Sequence, residues 1–313
     1  MKRQFIALVI LSGWAFGGGY TAVAQSFRDD SPQRTVPVTI VVSVDAKHGT
    51  EIPVIYREDV RVFHGQNRLK VTEWVPLRAD REGLELFILV DDACATSTGS
   101  NLEDLRKFIS EQSDSTAVGV GFIANSTVQI VQNLTKDHGQ AVKALRMPLG
   151  LPAAYSSPYR AVTSLLEGWP KTANRRAIFL VSPGIDGLQP GPSNSYLQGA
   201  IDQAQRANIE VYAIYGSAAG RAGRSLWRLN VGQSNLSQLA EQTGGEAYFQ
   251  GSQTPLSFAP FLEQFGDRLK HQYSLTFLAN AADKVSDQRI RLETEVSNAE
   301  LIGPDMVRIP AFR

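Results

Sequence analysis

Residues 84–97 read Leu84-Glu85-Leu86-Phe87-Ile88-Leu89-Val90-Asp91-Asp92-Ala93-Cys94-Ala95-Thr96-Ser97, and the fold class follows from how that stretch is built. The run Leu86–Val90 is apolar without a break, then ends in acids and hydroxyls. A strand with one wet face alternates; an unbroken run belongs to a strand of a parallel sheet covered on both faces. Helices must therefore follow. Asn101–Gln112 supplies one, with Leu102, Leu105, Phe108 and Ile109 at helical spacing and Asn101 placed as N-cap.

Outward from there, strands and helices alternate. Ala117–Ile123 and Thr127–Val131 are strands joined by the hairpin dipeptide Asn125-Ser126. Helices are predicted over Thr135–Leu145, Pro158–Trp169, Ser195–Ala207, Asn235–Thr243 and Phe258–His271, the fourth stopped by Gly244-Gly245. Strands are predicted over Ala177–Val181, Ile209–Tyr215 and Glu246–Phe249. The class is α/β: an open, doubly wound, mostly parallel sheet with one antiparallel hairpin strand.

Small β segments flank it. Val38, Ile40, Val42 and Val44 alternate along one strand, and Ile52–Tyr56, Val60–Phe63 and Leu69–Trp74 are short β pieces. Leu275–Phe277, Ile290–Leu292 and Val307–Ile309 follow the last helix, and either extend the main sheet or join the N-terminal strands. The expected organisation is a small β unit at 36–80, the α/β domain at 84–272 and a C-terminal β extension at 273–313.

The first residues carry a different message. Met1-Lys2-Arg3, an apolar run from Phe5 to Leu11 and the small-x-small triplet Ala22-Val23-Ala24 are the three parts of a secretory signal. Gly17-Gly18-Gly19 breaks the run short of the roughly 20 residues a spanning helix needs. A signal peptide is expected at 1–24 and a flexible leader at 25–35, giving a secreted or periplasmic protein with no integral membrane segment after cleavage. Removal of Lys2 and Arg3 tips a balance of 31 basic and 31 acidic residues slightly acidic. That neutrality argues against a nucleic-acid partner. The single Cys94 rules out an internal disulfide and any cysteine-rich metal site.

Ligand sites of open α/β sheets lie at the carboxyl ends of the strands. Here those ends carry Asp91-Asp92-Ala93-Cys94-Ala95-Thr96-Ser97 and Ser182-Pro183-Gly184-Ile185-Asp186. An acid-ended strand, a hydroxyl-rich loop, a helix, a hairpin strand and Ser156-Ser157-Pro158-Tyr159 before a later helix resemble the von Willebrand factor A domain over roughly Leu84–Lys270. The flanking strands, with Ile88-Leu89-Val90-Asp91-Asp92, Thr116-Ala117-Val118-Gly119-Val120-Gly121 and Ala154-Tyr155-Ser156-Ser157-Pro158-Tyr159, are similar to the exported von Willebrand factor A-related proteins of acidobacteria.

Such domains commonly hold a metal-ion-dependent adhesion site built as Asp-x-Ser-x-Ser, with a Thr from a second loop and an Asp from a third. Carried over residue by residue, Asp91 takes the first position, Ala93 and Ala95 stand at the two serines, and Ser156 falls at the Thr. Pro183 stands at the third-loop Asp, with Asp186 three residues on. The resemblance thus implies a degenerate adhesion site and no resident cofactor. Mg²⁺ would need Asp92, Thr96, Ser97 and Asp186 at changed geometry, which magnesium tolerates little. The candidate ligand-binding edge is Asp91, Asp92, Thr96, Ser97, Ser156, Ser157 and Asp186, joined by Arg221 and Arg224, whose guanidiniums suit a partner's carboxylate.

Enzyme chemistry finds little footing. His48, His64, His138 and His271 have no metal-ligand spacing. No Gly-x-Ser-x-Gly elbow and no Gly-x-x-x-x-Gly-Lys loop occurs. Gly119-x-Gly121-x-x-Ala124 lies in a strand that leads to a hairpin, so it is not a dinucleotide fingerprint. Leu89-Val90-Asp91-Asp92 matches the acidic pair of a magnesium-dependent phosphoacceptor of the receiver type, but Ile123-Ala124-Asn125 and Tyr215-Gly216-Ser217 lack its third Asp and its Lys. The expectation is a non-enzymatic module that binds a protein or cell-surface partner; the alternative is a structural component of an exported complex.

Overall fold

The computed structural model describes residues 34–49, 51–77, 83–172, 174–281 and 283–311. The expected signal peptide and most of the leader lie outside the described residues. β1 (Thr35–Ala46) buries the alternating face of Val38, Ile40, Val42 and Val44. β2 (Val60–His64) and β3 (Asn67–Pro76) form a hairpin. β4 (Leu84–Asp91) is buried over its whole length, as its unbroken apolar run requires. Strand–helix alternation then runs through α1 (Leu102–Ser110), β5 (Ala117–Ala124), β6 (Thr127–Thr135), α2 (His138–Ala144), α3 (Pro158–Gly168), β7 (Arg175–Ser182) and α4 (Ser195–Ala207). It ends with β8 (Ile209–Tyr215), α5 (Leu226–Thr243), β9 (Ala247–Tyr248) and α6 (Ala259–Lys270). The strands β10 (Gln272–Asn280), β11 (Ser286–Arg289), β12 (Arg291–Thr294), β13 (Ala299–Ile302) and β14 (Met306–Ile309) follow.

The main sheet has the order β6-β5-β4-β7-β8-β9. All neighbours are parallel except β6, which returns antiparallel to β5. This is the doubly wound order, and it reverses between β4 and β7, so their carboxyl ends open the crevice where such sheets bind. β4 explains why both faces are covered: Leu86, Ile88 and Val90 pack with α1, α2 and α6, whereas Phe87 and Leu89 pack with α3, α4 and α5. Each fully buried Leu or Ile there is worth about 1.5–3 kcal/mol. Strand order and reversed edge strand together make the sheet von Willebrand factor A-like.

The flanking strands meet each other. A second sheet has the order β12-β2-β3-β10-β1-β13, with β1 between β10 and β13, so the C-terminal strands join the N-terminal ones and do not extend the main sheet. β11 and β14 pair separately. Arg34–Arg313 is one compact unit.

Three local expectations shift. Thr135 ends β6, and α2 starts at His138 with Asp137 as its cap, accepting Gln140 N at 3.2 Å. Asn101 stands at the N-cap position of α1, as expected, but its side chain makes no cap bond; its Nδ2 donates instead to Pro255 O at 2.7 Å. Ile52–Tyr56 joins no ladder and is tied down by Trp74 Nε1 donating to Ile55 O at 3.0 Å. The hairpin at Asn125-Ser126 is present, with φ of 51° and 64°, the left-handed pair that matches strand twist.

Between the sheets lies a buried polar layer. Gln272 Nε2 donates to Glu210, Tyr212 Oη donates to Glu210 at 3.3 Å, and Arg175 donates to Gln272 Oε1 and to Leu269 O. Arg268 sits 2.8 Å from both Asp45 and Glu246. Burial raises the Glu210 carboxyl to about 7, against the opposing pull of Gln272, Arg175, Tyr212 and Arg268. Between its ordinary value of 4.5 and about 7, the folded state keeps a proton that the unfolded chain has released. The contribution of Glu210 to stability is therefore greatest at and below the ordinary value and is lost as pH rises through that window, by roughly 3 kcal/mol. Glu210→Gln is expected to flatten this slope in urea unfolding followed against pH, and to be more stable than the parent at alkaline pH. An unchanged slope would contradict it.

Candidate functional site

At the carboxyl edge of the sheet, β4 delivers two acids, and each turns inward. Asp91 accepts Ala93 N at 2.9 Å on one oxygen and Ser182 Oγ at 2.7 Å on the other. Ser182 ends β7, and its Oγ also accepts Gly184 N at 3.0 Å, so one hydroxyl ties the two strand ends at the switch point together. Burial pushes the Asp91 carboxyl up to about 6; the bonds from Ala93 and Ser182 oppose this, and the charge of Asp92 adds to it.

Asp92 meets a partner that lies far off in sequence. Arg146 grips both of its oxygens, at 2.7 and 2.8 Å, while its guanidinium lies 3.7 Å over the ring of Phe122. Leu149 N also donates to Asp92 Oδ1 at 3.0 Å, and Leu151 N to its carbonyl at 2.7 Å. The segment following α2 is thereby pinned across the edge.

The second and third loops are brought together. Ser157 caps α3, accepting Arg160 N at 3.3 Å, and donates to Asp186 Oδ2 at 2.6 Å. Asp186 further accepts Asn194 Nδ2 at 3.0 Å, Leu188 N at 2.8 Å and Gln189 N at 2.9 Å, which makes it the organiser of its own loop. Ser156 Oγ accepts Ser126 N at 3.1 Å, and Ser157 N donates to Ser126 Oγ at 2.8 Å, so the hairpin tip is locked to the start of α3. Thr96 and Ser97 lie exposed on a 3-10 turn, Thr96–Asn101, with no side-chain bond to Asp91. Ser182, Ser126, Arg146 and Asn194 do as much to build the edge as the residues read from the sequence. Of these, Ser182 alone carried a signal in the sequence, as the residue that ends an apolar strand.

Where the family pattern asks for serine hydroxyls, the loops pack apolar side chains. Ala93, Ala153, Ile185, Ala218 and Ala222, drawn from four loops, form one buried cluster. Beside it the β4 and β8 loops zip together: Ala95 N donates to Ser217 O at 2.7 Å and Ala219 N to Ala93 O at 2.9 Å. Cys94 lies buried within that bridge, its Sγ 3.8 Å from Val181 O and 3.9 Å from Gly216 O. Burial, with Asp91 and Asp92 nearby, pushes its thiol well up, so it is an inert packing residue.

Magnesium needs a near-octahedral set of about six oxygens. Each oxygen of Asp91 already accepts one protein donor, Ser156 Oγ already accepts Ser126 N, and Ala93, Ala95 and Pro183 have no side-chain oxygen to complete a shell. The residues present do not fit the metal. Nor, among the described residues, do three or more His, Cys, Asp or Glu stand together as a metal cluster.

The rim is apolar. Tyr155, Leu226, Trp227 and Leu256 are 85%, 72%, 55% and 99% exposed, on loops or helix starts at this same edge, with Met147 and Leu149 also exposed. Arg221 and Arg224 stand exposed among them. Among the described residues no helix is long and apolar enough to cross a membrane.

No protein-family model and no curated protein matches the chain. Among solved structures it is similar to a von Willebrand factor type A protein from Catenulispora acidiphila, at 12% identity and a TM-score of 0.43, over 91% of this chain and 75% of that one. It is also similar to the manganese-loaded TRAP protein of Plasmodium vivax, at 11% identity and a TM-score of 0.41, over 76% and 96%. An aerotolerance-related membrane protein from Bacteroides fragilis follows at 14% identity and a TM-score of 0.43, over 60% and 98%. The strand order, and not these distant likenesses, gives the chain its von Willebrand factor A-like fold.

Proposed function

We propose that the chain is an exported, non-enzymatic interaction module that binds a protein or cell-surface partner through the carboxyl edge of its main sheet, without a metal ion. The observation that carries this reading is the gathering of large exposed apolar side chains on the loops of that edge, around an interior already hydrogen-bonded. Large apolar side chains held out on the loops of a binding edge suit a contact surface. The degenerate adhesion site belongs to the same reading: the donors that would hold an ion hold the loops instead.

Assembly through the outer strand is the less favoured alternative. β6 shows two register shifts against β5, and bulges of this kind bend an edge away from further pairing.

Site-specific photocrosslinking tests the proposal. A photoreactive phenylalanine analogue placed at Tyr155 or Trp227 is expected to give a discrete adduct in producing cells, and the adduct is expected to survive EDTA. The same analogue at Lys70, on β3 of the second sheet, is expected to give none. Adducts that vanish with EDTA, or that form only from Lys70, would overturn it.

A further inference from the structure

We infer that the segment this edge receives is acidic and apolar-bearing, held by the paired guanidiniums of Arg221 and Arg224 beside Leu226 and Trp227. The inference rests on the edge being an interaction face and names the chemistry of what it takes. After β8 the chain makes a 3-10 turn over Ala222–Arg224, with Arg221 immediately before it. Ala222 is buried in the apolar cluster, and Gly223 backs so closely onto the Ala218 carbonyl that a Cβ there would lie 2.1 Å from its oxygen. Arg224 N bonds to Arg221 O, and Ser225 N to Ala222 O, each at 3.3 Å. The turn is therefore anchored from beneath.

A 3-10 turn has about three residues per revolution, so residues three apart lie in line. Arg221 and Arg224 consequently leave the turn on the same side, both exposed. Like charges at that spacing repel. Among the described residues neither side chain has an ion pair or hydrogen bond. The acids of the neighbouring loops are not free to supply one. Asp91, Asp92 and Asp186 are buried and bonded, and Asp104 holds Ser257 Oγ, Phe258 N and Ala259 N at 2.7, 2.8 and 3.2 Å.

A carboxylate from outside relieves that repulsion, and guanidinium recognises it through two parallel bonds. The carboxylates of a purely hydrophilic polyanion would do this equally well, but would leave Leu226 and Trp227 wet in the first turn of α5. A peptide segment alternating acidic with large apolar residues satisfies both, and Trp with Arg is the usual composition of an energetic centre in protein interfaces.

The test titrates the full chain with a short labelled peptide alternating Glu with Leu and Phe. A peptide with Gln for Glu and an oligoglutamate of equal charge are the controls, and Trp227→Phe assigns the tryptophan signal. The acidic apolar peptide is expected to bind and shift Trp227 emission. Arg221→Glu with Arg224→Glu is expected to weaken it by at least about tenfold, and the reversed variant to prefer a peptide with Lys for Glu. Absence of binding, equal binding of either control, or an unchanged double variant would overturn the inference. Crosslinks from Tyr155 and Trp227 without peptide binding would leave the interaction reading standing and remove only this one.

Discussion

Arg146→Ala is expected to cost the folded state about 3–4 kcal/mol in urea unfolding, because it strands a charge and does not merely delete a contact. Asp92 is only 1% exposed, and the two guanidinium bonds are its principal compensation. Removing the partly exposed cation leaves the desolvation of the buried carboxylate unopposed. Arg146→Met combined with Asp92→Asn is expected to recover most of the loss, since an amide is far cheaper to bury than a carboxylate. Arg146 also donates to Met147 O at 2.9 Å. The single variant is therefore expected to open the segment between α2 and α3 to proteolysis before the rest of the fold. Wild-type stability in Arg146→Ala would show that Asp92 finds water or another donor.

Gly232→Ala should stabilise a helix by about 1 kcal/mol on propensity alone. Here the opposite sign is expected, with a loss of at least about 3 kcal/mol. Gly232 sits inside α5, where a Cβ would meet the Pro183 carbonyl oxygen at 2.3 Å. Gly184→Ala is expected to be worse. Its φ is +64°, which a side chain resists, and its Cβ would stand 2.3 Å from the Gly232 carbonyl oxygen. The loop that follows β7 thus lies backbone against backbone on α5. Thermal unfolding of both variants reads the sign directly; a Gly232→Ala variant at or above parental stability would refute the contact.

That contact also shows where the sequence ran out. α4 is found over Ser195–Ala207, as its apolar spacing predicts, and β4 is buried as its unbroken run demands. α5, expected from Asn235, begins at Leu226. Asn230, Gly232 and Asn235 are weak helix formers, and what holds that first half helical is the Ser225 cap and the packing of Gly232 on the β7 loop. The edge divides in the same way. Alanines at serine positions are visible in a string of letters; that one of them, Ala93, joins Ala153, Ile185, Ala218 and Ala222 is not. Nor does any local pattern tell that Asp92 belongs to Arg146, or Asp91 to Ser182. Pairings of that kind are properties of the closed sheet.

The place of β1 in the second sheet bears on the order in which the molecule is made. Thr39 on β1 meets Thr276 on β10 at 3.0 Å across 237 residues of chain. A ribosome delivers β1 before the α/β core, yet both of its ladder partners arrive only after the whole core has been synthesised. Contacts so distant along the chain are the slow ones to form. A nascent or truncated chain that stops short of Gln272 holds β1 with two bare edges, a template for association with the next copy. β10 and β13, made after the core, are therefore the strands that keep β1 from the wrong partner.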